Sequence, residues 1–204
     1  MTEVPVVAPL ILGSASPHRR RLLQAAGLAF DVVPAPIDEA AIKQALAAEG
    51  RDGCGVASRL AGAKAEAVSA SFPDAMVIGA DQVLECEGRL FDKPGQLANA
   101  RIQLQRLRGR AHHLHTAVAL AYQRGIVWQH CETAALLMRP FSDAFLEDYL
   151  SAAGETIWGT VGAYEIEGIG IQLFASVRGD ASSIIGLPML PLLTELRARG
   201  MIAT

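Results

Sequence analysis

The sequence predicts an α/β fold built on a mixed, twisted β-sheet flanked by helices. Short apolar strand candidates and alanine-rich helical stretches alternate through the first half of the chain. A long antiparallel pair of strand candidates then enters the second half, which makes the sheet mixed. Hydrophobic residues form 51% of the 204 residues and charged residues 19%, enough apolar material for a sizeable core.

Residues 10–13 are a short apolar strand that runs into Ser14-Ala15-Ser16-Pro17. Ser16 reads as a helix N-cap, Pro17 as the first helical position and Gly27 as the stop. A second strand over 30–33 breaks at Pro34 and Pro36 and leads to Asp38-Glu39. Residues 40–49 and 56–71 are helices rich in alanine. The strand over 75–80 ends at Asp81, and 83–86 with 89–91 form a hairpin around Glu87-Gly88. A helix covers 97–108, with Gly109 past its end. Strands over 112–122 and 126–138 flank a turn at Gln123-Arg124-Gly125. Ser142 caps a helix through 150, the glycine-rich stretch 154–170 is irregular, and 171–177 is a strand. The chain closes with a helix that has Pro188 and Pro191 near its start and Gly200 after it. Residues 1–9 read as a flexible N-terminus and 10–200 as one domain.

The formal net charge of -3 leaves no global basic field for nucleic acid, so a phosphate site must be a local cluster. Cys54, Cys86 and Cys131 are few, odd in number and widely spaced, which reads as three reduced thiols. The apolar start has Glu3 rather than a basic residue before it and prolines within it, so it is not expected to be a signal peptide. No uncharged run reaches the ~20 residues of a membrane span. A cytoplasmic protein with no membrane partner is expected.

Three groups of residues carry chemistry. Ser14, Ser16 and Arg19 open a helix directly after a strand, where free N–H groups, hydroxyls and a guanidinium make an anion site. A capped surface helix explains the same spacing equally well. Glu39 and Asp81 are acids on separate loops, suited to a Mg²⁺ ion or a water. Each also has a plain structural role, as a first-turn acid and a loop cap. Lys64, in an otherwise small and apolar helix, and Lys93, before a proline, are candidate phosphate partners. His113 and His115 share one strand face, but no further ligand completes a zinc set. Neither common phosphate-loop glycine motif is present.

The order and spacing of these pieces resemble the Maf family of nucleotide pyrophosphatases. The resemblance runs from Leu10 to about Arg199. It is carried by Leu12-Gly13-Ser14-Ala15-Ser16-Pro17-His18-Arg19-Arg20, Asp38-Glu39, Arg59-Leu60-Ala61-Gly62-Ala63-Lys64 and Ile78-Gly79-Ala80-Asp81-Gln82-Val83. Lys93-Pro94, Gly162-Ala163-Tyr164-Glu165-Ile166-Glu167-Gly168 and Gly186-Leu187-Pro188 complete it.

The resemblance implies a Maf/inosine triphosphatase-like sheet with two lobes around a central cleft. It implies hydrolysis of nucleoside triphosphates to the monophosphate and pyrophosphate with Mg²⁺ or Mn²⁺. Ser14, Arg19, Lys64 and Lys93 match its phosphate contacts, Glu39 and Asp81 its metal positions, and Asp81 its proton acceptor. His18, Gln82 and Glu167 stand at positions linked to base choice. Gln82 and Glu167 agree with members acting on 7-methylguanosine triphosphate, whereas His18 stands where those carry tryptophan. A modified purine or a broad range of bases is expected. A homodimer is expected from the frequency of small symmetric oligomers. Two further readings are a nucleotide-binding regulator of cell division, and a nucleic-acid binder using Arg19-Arg20-Arg21. The retained acid at position 81 counts against the first and the acidic net charge against the second.

Overall fold

A computed structural model describes residues 8–48 and 50–203. Most of the N-terminal stretch expected to be flexible, residues 1–7, lies outside the described residues. In chain order the elements are β1 (Leu10–Leu12), α1 (Pro17–Ala25), β2 (Asp31–Val32), α2 (Glu39–Ala48), α3 (Gly53–Ser71), β3 (Met76–Cys86) and β4 (Arg89–Phe91). There follow α4 (Leu97–Leu107), β5 (Ala111–Tyr122), β6 (Gly125–Met138), α5 (Asp143–Ala153), β7 (Phe174–Arg178), α6 (Ala181–Ile185) and α7 (Met189–Ala198). Two short 3-10 turns are Gly154–Gly159, inside the stretch expected to be irregular, and Ile169–Leu173, which takes the first residues of the strand expected over 171–177, so that β7 starts only at Phe174. The strands pair in the order β2-β1-β3-β5-β6-β7, with β4 on β3, so the sheet is mixed as expected.

The chain forms two compact units. The first holds the described residues through Asp81, Thr116–Glu132, and those from Gly186 on. In it β1 runs parallel to β2 and to β3, with Leu12 opposite Val32 and Ile78. The core gathers Leu12, Leu23, Met76, Ile78, Leu120, Leu192 and Leu196, all fully buried. β5 and β6 meet in a two-residue turn. Gln123 (φ 50°) and Arg124 (φ 69°) both take the left-handed backbone that a tight hairpin requires. Gly125, expected as the last residue of the turn, opens β6 instead. The strain at the two side-chain-bearing residues is offset by anchoring. Gln123 N–H donates to the Pro73 carbonyl (3.1 Å) and Arg124 N–H to Ser69 Oγ (3.0 Å).

The thiol expectation is corrected here. Cys54, in the first turn of α3, and Cys131, on β6, are joined as a disulfide across 77 residues, with Cα atoms 6.2 Å apart. Linear spacing hides this pair. α3 lies close to β6, where Gly62 leaves room for the Gln129 side chain, and that packing brings the sulfurs together. Cys86 remains a buried free thiol.

The second unit holds Gln82–His115 and Thr133–Ile185. Its core is built on Leu84, Leu104, Leu107, Leu136, Met138, Leu146 and Tyr164. His112 is wholly enclosed there, its Nε2 2.9 Å from the Tyr164 hydroxyl. Tyr164 stands edge-on to Phe174, ring centroids 4.9 Å apart. The Tyr149 hydroxyl donates to the Ala163 carbonyl (3.1 Å). Ser142 caps α5 by accepting from Phe145 N–H, as expected. Among the described residues no helix is long and apolar enough to cross a membrane.

Burial pulls the His112 imidazole down from 6.5 to about 4, against an opposing pull from the Arg110 backbone. The unfolded chain therefore binds a proton at His112 between those values while the folded chain does not. Stability should be unaffected by this group above about pH 6.5 and fall as the pH drops toward about 4, by roughly 3 kcal/mol in all. Urea melts at pH 7 and pH 4.5, compared with His112→Gln, should show a shallower acid loss in the variant.

Candidate active site

Ser14 follows β1 directly and is almost fully buried. Its Oγ accepts from Ser16 N–H (3.2 Å) and from the Arg19 guanidinium (3.0 Å). Ser16 stands at the N-cap of α1 as the sequence predicts, but its side chain makes no capping bond. Pro17 at the first helical position has no N–H and so removes one of the donors that the helix start leaves without a helical partner. Arg19 points inward, 9% exposed, and its Nε donates to the Gly186 carbonyl at 2.9 Å. Gly186 adopts φ +130°, a backbone that side chains rarely take, and so presents that carbonyl. Burial lowers the Arg19 pKa from its ordinary value, while the charges of Asp81 and Glu39 push it back up. Arg19 is thus held as a cation by acids nearby and hydrogen-bonded on two sides. The guanidinium turns into the protein and not into solvent.

Asp81 departs from expectation in one respect. The strand does not end there. β3 continues through Asp81 and Gln82 to Cys86. Two adjacent polar residues look like a break in an apolar strand, but each has a partner that removes the penalty of burial. Asp81 Oδ1 accepts from Lys64 Nζ at 2.5 Å. The Gln82 amide donates to the carbonyls of Ser183 and Ile184, both at 3.0 Å, near the end of α6.

Lys64 reaches Asp81 because α3 lies directly on β3. A Cβ placed on Gly79 would meet the Ala61 carbonyl at 2.1 Å and Ala65 N at 2.6 Å. Only a glycine allows that approach. Asp81, two residues further along, shares the strand face of Gly79 and so faces the same helix. The Lys64 ammonium also lies 2.8 Å from Glu39 Oε1, at the first position of α2. Asp38 Oδ1 accepts from Ala41 N–H in that same first turn (3.0 Å), which fixes where Glu39 emerges.

Ser14, Arg19, Glu39, Lys64 and Asp81, from four separate stretches of chain, therefore gather in the first unit. The carboxylates of Glu39 and Asp81 converge on one ammonium, and hard oxygen donors placed so fit a divalent cation of the Mg²⁺ type. No cluster of three or more His, Cys, Asp or Glu suited to a metal occurs among the described residues. Such an ion would complete its shell with water and phosphate oxygens, as Mg²⁺ commonly does.

The other candidates have settings of their own, and two of them, His18 and Gln82, directly adjoin cluster residues in sequence. His18, half-buried on α1, accepts at Nδ1 from Arg21 (2.7 Å). Lys93 and Glu167 are exposed residues of the second unit, as Gln82 is a half-buried one. His115, weighed as a zinc ligand, has its nitrogens near Thr133 Oγ1 (3.0 Å) and Glu85 Oε2 (3.3 Å). Two site-building residues escaped sequence reasoning, the Gly186 carbonyl and the missing side chain of Gly79. Both glycines sit inside the motifs that carried the resemblance, which was their only signal.

A family model described as Maf-like protein matches residues 9–199. The chain belongs to this family. A Granulibacter bethesdensis protein named nucleoside triphosphate pyrophosphatase is 50% identical, over 92% of this chain and 95% of its own. A Rhizobium meliloti protein named 7-methyl-GTP pyrophosphatase is 48% identical, over 95% and 97%. A Rhodospirillum rubrum nucleoside triphosphate pyrophosphatase is 48% identical, over 97% and 98%. The residues of the Maf-like cluster are thus read in a chain that such proteins match almost end to end.

The α3–β3 contact supports that cluster in this Maf-like chain, and Gly79→Ala tests it. The added methyl must push α3 away from β3 and separate Lys64 from Asp81. A loss of about 3 kcal/mol or more is expected in chemical denaturation, together with loss of activity. An unchanged midpoint would mean that the close approach is not required.

Proposed function

We propose that this chain hydrolyses nucleoside triphosphates to the nucleoside monophosphate and pyrophosphate. The observation that carries the reading is the buried Lys64 ammonium between Asp81 and Glu39, beside Arg19 and Ser14, in a chain matched throughout by proteins named for this activity.

Arg19 and Lys64, with Lys93, bind the phosphate oxygens, and Ser14 orients Arg19 and the same anion. Asp81 accepts a proton from the attacking water. The water oxygen bonds to the α-phosphorus, the bond to the bridging oxygen breaks, and pyrophosphate leaves with that electron pair. Arg19 and Lys64 hold the charge that grows on the leaving group. Glu39 and Asp81 would hold a divalent cation, Mg²⁺ or Mn²⁺, which supplies further charge neutralisation at the phosphates when bound. His18, Gln82 and Glu167 select the base. A carboxylate at 167 can accept from a purine edge, so a 7-methylguanosine-like base or a broad range is favoured, in keeping with the Rhizobium meliloti relative. The role is removal of non-standard nucleotides, in the cytoplasm where these occur, by a homodimer. A regulator that only binds nucleotide has no use for a buried acid at the reacting phosphate.

The test is pyrophosphate release by wild type and Asp81→Asn over a panel of standard and methylated nucleoside triphosphates, with Mg²⁺ or Mn²⁺. The wild type should turn over at least one, and the variant should lose about 10²-fold or more in kcat. Nucleotide binding without release by the wild type would overturn hydrolysis in favour of the regulator.

A further inference from the structure

Lys64 stands where the two carboxylates converge, at 2.5 Å from Asp81 and 2.8 Å from Glu39. That is also the point a divalent cation would claim. The lysine and Asp81 are both buried, and the Glu39 side chain is about half-exposed (46%), so the cluster opens on the Glu39 side. Arg19 lies within electrostatic reach of the same two acids. Two fixed cations therefore face two carboxylates, and the cluster is neutral as it stands. A free dication entering it would have to expel the ammonium and would leave two uncompensated positive charges in a poorly hydrated site. A triphosphate changes both terms. Its oxygens offer the Lys64 ammonium and the Arg19 guanidinium new partners, and its negative charge balances the incoming metal.

We propose that Lys64 is a resident counter-cation. It keeps free metal out of the Glu39–Asp81 pair until nucleotide phosphates take its ammonium, so that metal and nucleotide load together. The inference rests on the hydrolytic reading above and deepens it, because it assigns Lys64 a second task. Besides binding phosphate, Lys64 blocks idle occupation of the acids by metal alone. The Arg19 bonds to Ser14 and the Gly186 carbonyl do not reach the carboxylates, so Arg19 balances charge without occupying the metal position.

Mn²⁺ binding to the full chain, read by the electron paramagnetic resonance of free Mn²⁺, tests this without turnover. Three samples decide it. These are wild type alone, wild type with the α,β-methylene analogue of the nucleotide released fastest in the panel above, and Lys64→Met alone. Circular dichroism checks the fold of the variant. Wild type alone should bind Mn²⁺ weakly, and the analogue should tighten binding by at least about 10-fold beyond the affinity of the analogue itself. Lys64→Met should bind Mn²⁺ without nucleotide at least about 10-fold more tightly than wild type, because one positive charge has left the site. Equal affinity in wild type with and without the analogue overturns the proposal, as does a folded Lys64→Met that binds no more tightly. If Lys64→Met does not fold, Lys64→Gln replaces it, and the two wild-type samples decide on their own. Tight nucleotide-free binding alongside normal pyrophosphate release sinks the proposal and leaves hydrolysis standing. Absence of release from every nucleotide overturns hydrolysis, and this inference with it.

Discussion

The close approach of α3 to β3 at Gly79 is the constraint on which the site depends. A helix normally stands off a sheet by the thickness of two layers of side chains. Here the strand contributes none at Gly79, and the helix answers with Ala61 and Ala65. The short distance turns a lysine, ordinarily a surface residue, into a buried one whose ammonium reaches the strand as well as Glu39 on α2. The strand offers Asp81. From this one contact follow the alanine-rich composition of α3, the burial of Lys64 and the continuity of β3 through two polar residues. An aspartate in the middle of an apolar strand would be costly without a cation brought to it.

The second constraint is charge balance. Arg19, Lys64 and Asp81 are each less than one-tenth exposed, and charges so placed persist only when paired. Lys64 is paired with Asp81 and Glu39. Arg19 is paired mainly with neutral acceptors, Ser14 Oγ and the Gly186 carbonyl, while the more distant acids offset part of the cost of burying its charge. That arrangement leaves the guanidinium with hydrogen-bonding capacity still in hand. A pair locked to a carboxylate by two parallel bonds would have less to offer an anion. That capacity is what the phosphate contact proposed for Arg19 would use.

Much of this was legible in the sequence. The alternation of strands and helices, the start of α1 at Ser16 and Pro17, and the mixed sheet follow from local chemistry that acts over a few residues. The five clustered residues were also named, as candidates from their local sequence settings and with roles from the resemblance, but their gathering was not legible, since they come from four stretches that only the fold brings together. Three things were out of reach for physical reasons. The end assigned to the strand at Asp81 was wrong because its satisfaction comes from Lys64, seventeen residues earlier in the chain. The disulfide was missed because its partners lie 77 residues apart and meet through the packing of α3 near β6. The hairpin turn was read over Gln123-Arg124-Gly125, and a left-handed backbone ordinarily falls to glycine. The protein instead holds Gln123 and Arg124 in that conformation with bonds to Pro73 and Ser69, which no local rule can foresee.

Gln82 shows how far the structure narrows a role that sequence alone leaves broad. An amide side chain can either donate or accept, and in principle reads either face of a base. Two carbonyl oxygens lie at 3.0 Å from one of its ends, and carbonyls accept only, so that end must be the NH₂ group. Its two hydrogens are then both committed to Ser183 and Ile184. These carbonyls belong to the last turn of α6, where helical partners run out and an external donor is needed. What Gln82 has to offer a nucleobase is at most the acceptor oxygen. A base edge that presents donors suits that oxygen, and one that presents only acceptors does not. Any selectivity that Gln82 exerts should follow this sign, and substitutions that keep an acceptor but lose the donors should disturb α6 before they disturb the choice of base.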